Sequence, residues 1–321
     1  MSTTATISAG VPTNRRIHVR RADALPPTMP HVGRVAWSGG VWTDTDSRAD
    51  SDPLDRDTLD SDTLELVHTF TASEICDDAV VSALQRLVDA GAIRGQWEFE
   101  EAAVGLIRTS HVSTPAAWAA FYDNSLRSLR AGSASFAPVH RRARSFIAGA
   151  SVLEVGCCFG FFALQCAEDG LRVGACDISA GAIGLLTAAA TRRGTQLDAS
   201  VGDATALEHP DDSVDTVTLI HLLEHLDAHQ ARTAISEALR VARRRVIIAI
   251  PYEEHPREHF GHLHGLGEDD LRDWAAAVDH AGAQTFEDHG GWLILTPHRS
   301  RTRMQRVASA TGQISPRLLA M

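Results

Sequence analysis

The chain contains no lysine: all thirty of its basic residues are arginines, against 41 aspartates and glutamates. No Schiff-base or general-base lysine is therefore available, and the bias is read as one of genome composition. The net charge of -11 argues against general affinity for nucleic acid or an anionic membrane. No stretch of about 18 apolar residues occurs, so no membrane span is expected. The first residues, "MSTTATISAG", lack the apolar core of a secretory signal. Cysteine is scarce and odd in number, at 76, 157, 158, 166 and 176. No C-x-x-C pair exists, which makes a disulfide framework a poor fit and a reducing cytoplasm the expected setting.

What is present divides the 321 residues into four. Residues 1–62 hold the Asp/Ser/Thr run "TDTDSRADSDPLDRDTLDSDT", too poor in apolar residues to fold alone. This N-terminal segment is expected to be poorly ordered, apart from short strands at "NRRIHVRR" and "GRVAWSGGVWT", the second turning at Gly39-Gly40. Residues 63–145 show apolar residues at three- and four-residue spacing and predict a helical cap. Within it, Thr114 is the expected N-cap, Pro115 the first helical residue and Gly132 the stop signal. Trp118, Phe121 and Tyr122 are read there as core. Residues 146–298 alternate strands and helices, which predicts a doubly wound, mostly parallel α/β sheet covered on both faces. The domain closes on two strands joined by a Gly-Gly turn, necessarily antiparallel. Residues 299–321 form a basic tail.

The stretch "SVLEVGCCFGFF", residues 151–162, opens that domain. Its adjacent cysteines, Cys157 and Cys158, suit a shared metal poorly and are read as structural or cofactor-lining. The glycines fail the G-x-G-x-x-G spacing of a dinucleotide turn: Cys158 and Phe161 stand where glycines belong. An NAD-dependent oxidoreductase is excluded on that ground. Glu154 would repel a pyrophosphate but suits a cofactor carrying a positively charged amino group. Asp177 ends the second strand, in "VGACDIS", where a carboxylate can take both hydroxyls of a ribose. "VGDATAL" sets Asp203 after the third strand.

With "DDSVDTVTLIHLLEHLD" after them, these motifs resemble the class I S-adenosylmethionine-dependent methyltransferases, whose first motif is commonly E-x-G-x-G-x-G. The resemblance covers about residues 135–298. It implies a seven-stranded Rossmann-like fold and S-adenosyl-L-methionine as cofactor. It implies cofactor contacts at Glu154, Gly156, Cys157, Cys158, Gly160, Asp177, Ile178, Asp203 and Ala204, with Asp203 accepting from the adenine amino group. Cys158 departs from the pattern at the middle glycine, so the turn must either avoid positive φ there or accept strain. "FYDNSL", "ASFAPVHRRA", "TLIHLLEHL" and "HFGHLHGL" resemble the mycofactocin oligosaccharide methyltransferases. That family implies O-methylation of a sugar hydroxyl on the oligoglucoside of a peptide-derived redox cofactor.

A sugar hydroxyl is a poor nucleophile and needs a base or a metal. The base is expected among His221, His225, His255 and His259, which follow the fourth and fifth strands. Asp288 and His289 in the last turn stand in reserve. "HPREH" matches the H-x-x-E-H metal pattern, but Pro256 breaks the helix that pattern requires. Base catalysis without a metal is therefore the expectation. The partner is a small-molecule acceptor. A quinone, phenol or lipid remains an alternative to a sugar, and a non-catalytic S-adenosylmethionine-binding protein an alternative to an enzyme.

Overall fold

A computed structural model describes residues 15–39 and 63–298. Most of the segment expected to be poorly ordered, Gly40 of the expected hairpin turn, and the C-terminal tail lie outside the described residues. The chain forms two compact units.

The N-terminal unit comprises residues up to 134 together with 257–261. It is not purely helical. Strands β1 (Arg16–Arg21), β2 (His31–Val32), β3 (Val35–Ser38) and β4 (Thr63–His68) form one sheet in the order β1-β4-β3-β2. β1 and β3 fall where short strands were expected, within a segment otherwise expected to be poorly ordered. β4 was not foreseen: "TLELVH" is six residues and sits beside a helix-patterned region. Helices α1 (Asp77–Asp89), α2 (Gly95–Thr109) and α3 (Thr114–Ala131) complete the unit. Their apolar stripes bury Leu84, Leu87, Leu106 and Phe121 with Leu64 and Leu66 of β4. Arg15 grips Glu98 through two hydrogen bonds of 2.8 and 2.7 Å. α3 begins one residue before the expected site: Ser113, rather than Thr114, is the N-cap, and Gly132 ends the helix at φ 76° as the sequence implied. Phe121 and Tyr122 are buried core residues.

The second unit comprises 135–256 and the chain from 262 onward. It begins with α4 (Ala137–Ser145), so the expected boundary at 145 lies one helix too late. It continues with β5 (Ser151–Val155), α5 (Phe161–Glu168), β6 (Arg172–Asp177), α6 (Ala180–Arg193), β7 (Asp198–Val201) and β8 (Val214–Ile220). Then come α7 (Ala228–Val241), β9 (Ala242–Ile250), α8 (Glu268–Ala277), β10 (Gly282–Glu287) and β11 (Gly291–Thr296). The seven strands lie in the order β10-β11-β9-β8-β5-β6-β7. β7, β6, β5, β8 and β9 are parallel, and β11 is antiparallel to both its neighbours. All five residues of β5 are buried, as a central strand covered on both faces requires. Strand order reverses at β5, where β6 lies on one side and β8 on the other. The crevice at their carboxyl ends is where open α/β sheets bind ligands.

Candidate active site

The turn after β5 is built from backbone that only small residues tolerate. Gly156 has φ 72°, and a Cβ there would stand 2.7 Å from Leu222 Cδ1. Gly160 has φ 69°, and a Cβ there would stand 2.5 Å from both Leu186 methyls. Between them Cys158 adopts φ 47°, so the non-glycine residue accepts the left-handed conformation instead of avoiding it. Its N–H donates to Asp177 Oδ2 at 2.8 Å, and the Ser179 N–H donates to Oδ1 at 2.8 Å. The carboxylate at the end of β6 thus holds two turns at once. Gly156 and Cys157 both donate to the Cys176 carbonyl, at 2.8 and 3.1 Å, tying the turn to the same strand end.

Glu154 is buried, and its Oε2 accepts the Ala163 N–H of α5 at 2.9 Å. Burial pushes its carboxyl up to about 8, with the charge on Asp177 adding and the Ala163 bond opposing. Its first task is thus internal, fixing the start of α5 against β5. Cys157 is buried and its thiol is pushed up by burial, which disfavours the thiolate that metals and redox chemistry need. Cys158 is exposed, and none of the five cysteines is in a disulfide. Ile178 is 78% exposed beside Asp177. Asp203 is also exposed; it accepts from the Thr205 N–H and hydroxyl at 2.8 and 2.7 Å, which hold it below the usual carboxylate range. Ala204 packs against the core beneath it.

The second half of the site follows β8. His221 adopts φ 52° and donates its N–H to the Ala249 carbonyl of β9 at 2.8 Å. Its ring meets Phe136 edge-on with centroids 4.9 Å apart. A single 3-10 turn, Leu223–His225, then carries Glu224 inward and His225 to the edge. Glu224 is fully buried, and neither carboxylate oxygen has a hydrogen-bond partner; the His221 Nδ1 lies 3.4 Å away. The Leu263 N–H donates to the Glu224 carbonyl at 2.8 Å, which fastens the later loop to this turn. That brings the ring of His262 to 5.0 Å from the ring of His225. His262 Nδ1 is 2.7 Å from Glu253 Oε2, and both side chains are nearly buried.

The four histidines expected as one network do not share a setting. His221 and His225 flank Glu224. His255 is exposed on the loop after β9. His259 belongs to the N-terminal unit, where its Nε2 lies 2.8 Å from Gln85 Oε1 and its ring packs on Phe99 and Phe260. "HPREH" is not helical: only Glu258–Phe260 form a 3-10 turn. The last hairpin turn lies at the carboxyl end of β9, since Gly291 pairs with Ile250. There Asp288 is engaged in an ion pair with Arg142. The residues sequence reading passed over are Glu224 and His262. They occur in the sequence only within the stretches "TLIHLLEHL" and "HFGHLHGL", without a role of their own.

A mostly parallel seven-stranded sheet in this order, with a glycine turn after the first strand and carboxylates after the second and third, defines the class I S-adenosylmethionine-dependent methyltransferase fold. Residues 152–245 match the family model described as a methyltransferase domain. No curated protein sequence matches. Among solved structures, the PH0226 protein of Pyrococcus horikoshii is 16% identical, with a TM-score of 0.45 over 51% of this chain and 89% of that one. An S-adenosylmethionine-dependent methyltransferase of Methanosarcina mazei is 18% identical, with a TM-score of 0.40 over 49% and 97%. The magnesium protoporphyrin IX methyltransferase of Synechocystis, solved with bound S-adenosylmethionine, is 21% identical, with a TM-score of 0.38 over 59% and 86%. Among the described residues, no helix is long and apolar enough to cross a membrane.

Proposed function

We infer that the protein is an O-methyltransferase acting on a sugar hydroxyl, and that the oligoglucoside of mycofactocin is the acceptor its sequence resemblance favours. The observation that carries this reading is the polar cluster after β8 and β9. His221, His225, Glu253 and His262 gather there, where an acceptor for a quinone or lipid methyltransferase would need a mainly apolar wall.

The residues present fit the cofactor. Asp177 holds the turn and keeps carboxylate lone pairs for a ribose, while exposed Ile178 offers an apolar face beside it. Asp203 and Ala204 extend that face toward an adenine. Glu154, Gly156, Cys157, Cys158 and Gly160 shape the turn for the methionine portion, and an ammonium group near Glu154 would favour its ionised form. Bound there, S-adenosylmethionine would supply an electrophilic methyl carbon on its sulfonium. The chain's own task is to orient the acceptor hydroxyl and remove its proton. His221 is the favoured base: it follows β8 at the switch point, Glu224 Oε1 lies 3.4 Å from its Nδ1 to stabilise the imidazolium, and its buried Nε2, without a hydrogen-bond partner, is the nitrogen left to take the proton.

The test is transfer of labelled methyl from S-adenosylmethionine to short oligoglucosides and to the oligoglucosylated cofactor. Label in a methyl ether on a glucose ring is the expected result. Label found only on a quinone or phenol supplied in parallel would replace this reading.

A further inference from the structure

We propose that Glu224, His225 and His262 form a binding site for one divalent first-row transition ion. Their ligand atoms, one from each side chain, all lie within 4.8 Å of one another. The donor set is two imidazoles and one carboxylate, which suits zinc, cobalt or manganese better than magnesium or calcium. A set of three protein ligands would leave a coordination position for water or an acceptor oxygen.

Glu224 is the independent evidence. A fully buried carboxylate with neither oxygen hydrogen-bonded carries a large desolvation cost. Buried charges are normally paired or bound to a metal, and here one Glu224 oxygen lies within 4.8 Å of a ring nitrogen of both His225 and His262, while Oε1 is 3.4 Å from His221 Nδ1. The surroundings support ligation as well. Glu253 accepts from His262 Nδ1 at 2.7 Å, which puts the lone pair on Nε2 and fixes the ring plane. The bond from the Leu263 N–H to the Glu224 carbonyl locks the loop that carries His262 to the turn that carries the other two ligands. Such second-sphere bonds are what orient ligands before the ion arrives. This departs from the expectation of metal-free catalysis.

The ion's role rests on the O-methyltransferase reading: an acceptor hydroxyl bound to it would lose its proton to His221 more readily. The site itself does not rest on that reading. The experiment uses the full chain, stripped with chelator and titrated with Co²⁺ while visible absorption is recorded. One ion per chain, with the d–d bands of a nitrogen- and oxygen-ligated Co²⁺, is expected, and Zn²⁺ should displace it. Glu224→Gln and His262→Ala should each weaken binding at least tenfold, and exposed His298→Ala should not. Folding is checked by circular dichroism; if Glu224→Gln fails to fold, His262→Ala and His225→Ala decide. Absence of a stoichiometric site in the wild type, or full affinity in the folded ligand variants, overturns the proposal. S-adenosylmethionine binding measured on the same samples separates loss of the metal site from failure of the methyltransferase reading.

Discussion

Replacing Cys158 with glycine tests whether the cofactor turn is strained at its centre. Cys158 holds φ 47°, a conformation that costs a residue with a Cβ about 1–2 kcal/mol. Glycine removes that cost. Its greater freedom in the unfolded chain takes back about 0.4–1 kcal/mol. The thiol is exposed, so little burial is lost, and the N–H to Asp177 Oδ2 survives the change. The net expectation is a gain of about 0.5–1 kcal/mol. Chemical denaturation of wild type, Cys158→Gly and Cys158→Ala measures it. Alanine keeps the same backbone cost and should lie within about 0.5 kcal/mol of wild type. Equal stability of the glycine and alanine variants, or a loss in the glycine variant, would falsify the strain argument. Cofactor affinity should be retained in both.

Three further outcomes are expected. Gly160→Ala should destabilise by about 1–3 kcal/mol, because it adds a left-handed cost and pushes on buried Leu186; denaturation midpoints check this. Glu154 has a folded-state pKa raised above its unfolded value, so its contribution is fully present below about 4.5 and is lost as pH rises through about 8. Glu154→Gln, which can still accept the Ala163 N–H, should therefore gain on wild type across that window, by at most about 1.4 kcal/mol per pH unit; parallel stability–pH curves would count against it. His221→Ala should lower kcat by roughly 10²–10⁴-fold with cofactor affinity nearly unchanged, whereas His259→Ala, a residue of the N-terminal unit, should leave kcat within a few-fold; rate and binding measurements on both separate the two histidines.

The second unit was legible in the sequence because its signals are local. Strands such as β5 and β6 are short apolar runs closed by Gly156 and Asp177, and the helices carry their own period, so β5 to β11 fall where the pattern sets them. The β10–β11 hairpin follows from Gly290-Gly291 alone. Strand β4 escaped because "TLELVH" earns its place by pairing with β1, more than forty residues earlier, and no local period records such a partner. The acceptor side was legible only as a crowd of histidines. Chain order could not say that His259 packs with Gln85 while His262, three residues on, meets His225. Nor could it show that Glu224 is buried without a hydrogen bond, since that depends on the fold closing above it. The missing glycine posed the question of left-handed backbone at Cys158, and only the folded turn, with φ 47° there, answers it.

The most direct measurement is calorimetric titration of S-adenosylmethionine into the wild type and into Asp177→Ala. Asp177 is the carboxylate to which both the Cys158 and Ser179 N–H groups donate, and the proposed function assigns it to the ribose. Stoichiometric binding to wild type, weakened in a folded Asp177→Ala variant by about 1.5–3 kcal/mol, the range for hydrogen bonds to a charged group, is the expected result. Unchanged affinity in that variant would remove Asp177 from the site, and a wild type that takes NAD instead of S-adenosylmethionine would contradict the account as a whole.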